Sequence, residues 1–116
     1  MNALYRKEHG WSGSVPTPEL VLPVSAHPAF NKACHYLHVK VVPVEIDPVS
    51  KKVSVESIRA KINSRTMAVV ASAPQYPHGV FDPIAEIAGL AKSMDVPMHV
   101  DCCLGGFLVP FANVST

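Results

Sequence analysis

The stretch Met67-Ala68-Val69-Val70-Ala71-Ser72 decides the fold. It is six residues without a charge and with no alternation between apolar and polar positions. A strand with one wet face alternates; an uninterrupted apolar run is expected of a strand covered on both faces, which is the condition of parallel sheets. Outward from it, three further apolar segments read as strands: Leu20-Val21-Leu22-Pro23-Val24, Val39-Lys40-Val41-Val42-Pro43-Val44 and Val96-Pro97-Met98-His99-Val100-Asp101. Pro43 lacks an N–H and would weaken a central strand.

Helical spacing fills the intervals. Phe30, Ala33, Cys34 and Leu37 form one apolar face, Val55, Ile58 and Ile62 a second, and Ile84, Ile87, Ala88 and Ala91 a third. The third helix is expected to open with Asp82 as N-cap and Pro83 at the first helical position. Strands alternating with helices predict an α/β fold built from βαβ crossovers around a mostly parallel sheet. The 116-residue chain, 48% apolar and 16% charged, has the composition of a globular core rather than of a disordered segment.

A net charge of +1 with no Lys/Arg run gives no electrostatic basis for a nucleic-acid partner. No apolar run approaches the ~20 residues that span a bilayer, and no secretory signal opens the chain. Three cysteines, Cys34, Cys102 and Cys103, make a poor disulfide framework and suit a reducing compartment. Cys34, His35 and His38 cluster in sequence, but no C-x-x-C pair accompanies them, and buried free thiols account for them better than a metal site.

Ligands of open α/β sheets sit beyond the carboxyl ends of the strands. That rule selects Ser25-Ala26-His27, the connection Ser72 to Gly79, and Asp101 to Gly106. Asp101 is either a partly desolvated carboxylate that pairs with a cation, such as a protonated ring nitrogen, or a cap of the next turn. His27 is either a loop histidine before a helix or an imidazole that stacks on a flat heterocycle. Gly105-Gly106 is too short for a phosphate cradle and is read as allowing close packing.

Taken together, three segments resemble the sphingosine-1-phosphate lyase family, within the fold type I pyridoxal-phosphate enzymes related to amino-acid decarboxylases. They are Pro-Glu-Leu-Val-Leu-Pro-Val-Ser-Ala-His-Pro-Ala-Phe-Asn-Lys-Ala (18–33), Ser-Ala-Pro-Gln-Tyr-Pro-His-Gly-Val-Phe-Asp-Pro-Ile (72–84) and His-Val-Asp-Cys-Cys-Leu-Gly-Gly-Phe (99–107). The resemblance implies part of a large cofactor-binding domain over residues 18–111, after a helix end and linker (1–17) and before a divergent tail (112–116). It implies pyridoxal 5′-phosphate as cofactor, with His27 stacked on its ring, Asp101 on the ring nitrogen, Cys103 near the opposite face, and Ser72 and His78 in a cofactor-facing loop.

The implied reaction is retro-aldol cleavage of a phosphorylated sphingoid base to a long-chain aldehyde and phosphoethanolamine. The family is homodimeric and held at the endoplasmic reticulum membrane, on its cytosolic side, by a segment upstream of the matched region. Its glycine-rich phosphate-binding segment also lies upstream and its Schiff-base lysine lies downstream, so the chain alone is expected to be soluble and inactive. A decarboxylase fragment and a non-catalytic truncated product are the alternatives.

Overall fold

The computed structural model describes residues 16–112. The expected helix end within residues 1–15 and the tail beyond Ala112 lie outside the described residues. Four strands and three helices alternate: β1 Glu19–Pro23, α1 Ala29–Leu37, β2 Lys40–Val44, α2 Val55–Arg59, β3 Thr66–Ser72, α3 Ile84–Ser93 and β4 Met98–Asp101, with a 3₁₀ turn at Val109–Phe111. All pairings between the strands of the sheet are parallel and the strand order is β2-β1-β3-β4. The predicted α/β architecture is present, and the carboxyl ends of the strands share one edge of the sheet.

Pro43 is accommodated because, among the described residues, β2 is an outer strand paired only with β1, through Leu22↔Pro43 and its neighbours. β3 is interior, and Val69 to Ser72 are all buried. Side chains alternate across the sheet and divide the core in two. Val21, Val44, Val69 and Ala71 meet Ile58, Ile87 and Leu90 beneath α2 and α3. On the other face Leu22, Ala26 and Val70 pack with Phe30 of α1.

α2 has only five residues, too few to persist alone. The Ser54 hydroxyl accepts the Ser57 N–H at its N-terminus, and Ile58 is wholly buried, a burial that stabilises by about 1.5–3 kcal/mol. Two predicted helix faces need correction. On α1, Cys34 is buried but Ala33 and Leu37 are exposed, because this helix covers only a narrow strip of sheet. On α3, Ala88 is exposed and Leu90 takes its place in the core. Asp82 does not cap α3: the helix starts at Ile84, its N-cap residue is Pro83, and no side chain caps it.

At the opposite, N-terminal edge, Glu19 is buried with its carboxylate ringed by donors. Lys40 Nζ lies 3.2 Å and Arg65 Nη2 2.8 Å from Oε1, while Asn63 Nδ2 donates to Oε2 at 2.7 Å. The Asn63 hydrogen bond, followed by Lys40 and Arg65, holds this carboxyl below the ordinary carboxylate range despite its burial. The cluster ties β1, β2 and the entry to β3 together. Among the described residues, no helix is long and apolar enough to cross a membrane.

Candidate active site

The carboxyl edge of the sheet is built by three loops that hold one another. β3 and β4 run in register to their ends, with Ser72 opposite Asp101. The Ala73 N–H then donates to the Asp101 carbonyl at 2.9 Å. Beyond Asp101 the chain folds back so closely that a Cβ on Gly105 would lie 2.1 Å from the Ala73 carbonyl oxygen. The predicted close packing at these glycines is found at Gly105, which is buried.

Asp101 is half-buried. Its Oδ1 accepts the Cys103 N–H at 3.0 Å, and among the described residues Oδ2 has no hydrogen-bond partner. The turn-capping role offered by the sequence is found at one oxygen, which closes the turn, while the other keeps its acceptor capacity. Cys103 is exposed, as is Cys102, whereas Cys34 is buried and its thiol is pushed up by desolvation. The Cys103 side chain lies outside the core.

His27 is exposed beyond the end of β1. Its Nδ1 accepts the Ala29 N–H at 3.1 Å, so the neutral ring carries its proton on Nε2. The imidazole meets Tyr76 edge-on, with ring centroids 5.1 Å apart. Tyr76, not singled out by the sequence reading, thus orients the predicted stacking residue; the only signal was an aromatic side chain in a loop stiffened by Pro74 and Pro77. A second ring pair, Phe30 with His99 at 5.8 Å, lies on the sheet face that also carries Ser72 and Asp101.

The connection from Ala73 to Asp82 closes on itself through two buried polar residues, Gln75 and Asp82. The Gln75 amide donates to the Lys51 carbonyl at 2.7 Å, and its Oε1 lies 2.6 Å from His78 Nδ1. Since the Gln75 oxygen can only accept, His78 Nδ1 is the donor. His78 is therefore tied to its own loop on the side of the β2–α2 turn, and the structure does not bring it into contact with His27 or Asp101. Asp82 Oδ2 accepts the Ser72 N–H at 2.8 Å, and the Asp82 N–H returns a bond to the Ser72 carbonyl at 3.1 Å. Burial pushes the Asp82 carboxyl up, partly opposed by the Ser72 bond, and its Oδ1 is buried without a partner among the described residues.

The comparisons with known proteins bear on the family and the fold. The DegT/DnrJ/EryC1/StrS aminotransferase family matches residues 10–106. The chain belongs to this family. Eight curated relatives are named as sphingosine-1-phosphate lyases, one of them as a probable one. The chain is 52% identical over 96 residues to a sphingosine-1-phosphate lyase of Dictyostelium discoideum, and 47% identical over 97 residues to sphingosine-1-phosphate lyase 1 of Mus musculus. These alignments take in 83% and 84% of the chain but only 18% and 17% of the relatives' length.

Among solved structures, the sphingosine-1-phosphate lyase of Burkholderia pseudomallei superposes with a TM-score of 0.83 at 39% identity, over 93% of this chain and 24% of that one. Glutamate decarboxylase of Lactobacillus brevis reaches the same TM-score at 20% identity, over 96% of this chain and 26% of that one, and shares the fold alone. The fold is that of the fold type I pyridoxal-phosphate enzymes, as the resemblance implied.

The residues present fit the ring of that cofactor. Asp101 offers a free acceptor oxygen, His27 an exposed aromatic face, and Cys103 an exposed thiol two residues beyond Asp101. Of the described lysines, Lys40 pairs with Glu19 at the opposite edge, Lys32 lies 5.7 Å from the Tyr36 ring, Lys51 and Lys52 belong to the β2–α2 turn, Lys61 follows α2 and Lys92 sits in the last turn of α3.

Proposed function

We propose that residues 18–111 form the ring-binding part of a carbon–carbon lyase that cleaves phosphorylated sphingoid bases, with pyridoxal 5′-phosphate as cofactor. The observation that carries this reading is the half-buried Asp101 carboxylate with one oxygen free at the sheet's carboxyl edge, in a chain 39–52% identical to eight sphingosine-1-phosphate lyases or probable lyases.

When bound, pyridoxal phosphate supplies an electron sink for the pair released as the Cα–Cβ bond breaks, giving a long-chain aldehyde and phosphoethanolamine. Asp101 Oδ2 would hold the ring nitrogen protonated, and the Cys103 N–H keeps the carboxylate aimed by occupying Oδ1. His27, which meets Tyr76 edge-on, would cover the ring, with its Nε2 proton available for donation. Cys103 would lie on the other side of the ring. Ser72 shares the Asp101 side of the sheet, and His78 braces the loop above it through Gln75. In the whole protein the site is completed across a homodimer interface at the cytosolic face of the endoplasmic reticulum.

The test is a chimera in which residues 16–112 replace the matching stretch of the Dictyostelium lyase. The chimera is expected to release long-chain aldehyde and phosphoethanolamine, with Asp101→Asn lowering kcat by about 10²–10³-fold, the usual effect of removing one preorganised electrostatic partner. A chimera that binds the cofactor yet cleaves no sphingoid base would refute the lyase reading. Release of carbon dioxide from an amino acid would favour the decarboxylase reading in its place.

A further inference from the structure

Asp82 stands where the sequence predicts a helix cap, but it caps nothing: α3 begins without a side-chain cap. Its carboxyl turns instead to the end of β3, where carboxyl and backbone together clasp Ser72 from both sides, Oδ2 taking the N–H and the Asp82 N–H meeting the carbonyl. The side chain is 1% exposed, and its other oxygen is buried without a partner among the described residues. An unsatisfied buried oxygen generally costs about 1–3 kcal/mol, so fold stability alone is a poor reason for a carboxyl here.

What lies one residue beyond the clasp gives a better reason. The Ala73 N–H bonds to the Asp101 carbonyl, Ser72 sits in register with Asp101, and Gly105 packs on the Ala73 carbonyl oxygen. The path from Asp82 to the Asp101 carboxylate thus runs through two backbone amides and one strand register.

We propose that Asp82 is a positioning residue for the ring site: by clasping Ser72 it fixes the strand end on which Asp101 and its Cys103 turn are seated. This rests on the reading of Asp101 as the ring-nitrogen partner. Asp82 itself touches no ligand. It sets where the free Asp101 oxygen points.

The test uses the full 116-residue chain in solution by NMR, with Asp82→Ala, Asp82→Leu and Asp82→Asn. Asn keeps one acceptor oxygen for the Ser72 N–H, and Leu fills the space but accepts nothing. In Asp82→Ala the Ser72 amide is expected to exchange at least tenfold faster, and the Ala73 and Cys103 amides and the Asp101 carboxyl carbon to shift. Asp82→Asn restores all four signals. If Asp82→Ala does not fold, Asp82→Leu carries the same expectation without leaving a void.

A folded Ala or Leu variant whose Asp101 and Cys103 signals stay at their wild-type positions overturns the proposal. So does unfolding of both, which makes Asp82 a determinant of stability alone. These signals are read without cofactor, so they stand apart from the ring-binding reading. That reading fails separately if Asp101→Asn leaves turnover by the Dictyostelium chimera unchanged.

Discussion

Replacing Gly105 with alanine adds a single methyl group at the seam between two site loops, and the structure fixes where it would go. The new Cβ would lie 2.1 Å from the Ala73 carbonyl oxygen and 2.8 Å from Val109 Cγ2. Ordinary contact needs more than 3 Å, so the two backbones must separate by about 1 Å; overpacking of this kind costs about 1–3 kcal/mol. The obstacle is main chain rather than a flexible side-chain end, which places the cost in the upper half, about 2–3 kcal/mol. At about 4 °C per kcal/mol for a chain of this size, Tm falls by about 8–12 °C.

Gly89 in α3 is the control, because a Cβ there meets nothing within 4 Å. Gly89→Ala is expected to stabilise by about 0.5–1 kcal/mol through the helix preference of alanine. Urea unfolding of both variants, followed by circular dichroism, measures the difference. Two substitutions of identical chemistry should differ in sign. A Gly105→Ala variant within 0.5 kcal/mol of wild type (an order-of-magnitude threshold for a surface change) would refute the close seating of the 102–109 turn on β3.

Glu19 should make stability acid-sensitive. Its folded carboxyl titrates below its unfolded value, so the contribution is complete above the ordinary carboxylate range and is lost as pH falls through the folded value; urea midpoints of wild type and Glu19→Gln should differ at neutral pH and converge as the pH falls. Truncating Ile58, wholly buried beneath the sheet, to alanine should cost about 2–5 kcal/mol in the same unfolding assay. A thiol reagent should label Cys102 and Cys103 in the folded chain and reach Cys34 only on unfolding, since Cys34 is buried and its thiol pushed up.

The sheet was legible because parallel strands write themselves as apolar runs, and the loops that carry chemistry followed from where such strands end. The edge position of β2 was foreshadowed by Pro43, a residue a central strand rejects. Helix faces were read less well. α1 covers a narrow strip and leaves Leu37 in solvent, and periodicity alone cannot tell how wide a partner surface is. Local rules failed where a tertiary partner outbid them: Asp82 followed by Pro83 has the form of a helix start, yet its carboxyl bonds across ten residues to Ser72. Glu19 shows the same limit. A single charge opening an apolar strand carries no sign that Lys40, Asn63 and Arg65 will converge on it. Of the candidate site, the position of Asp101 and His27 beyond strand ends was legible, whereas the contacts of Tyr76 and Gln75 required the folded loop.

The central claim is that the free oxygen of Asp101 receives a protonated ring nitrogen. The most direct measurement is the ¹⁵N chemical shift of the pyridine nitrogen in labelled pyridoxal phosphate, bound to the Dictyostelium chimera with Asp101 or with Asn at that position. The account predicts a protonated nitrogen with Asp101 and an unprotonated one with Asn. A nitrogen whose protonation is the same in both proteins would contradict it.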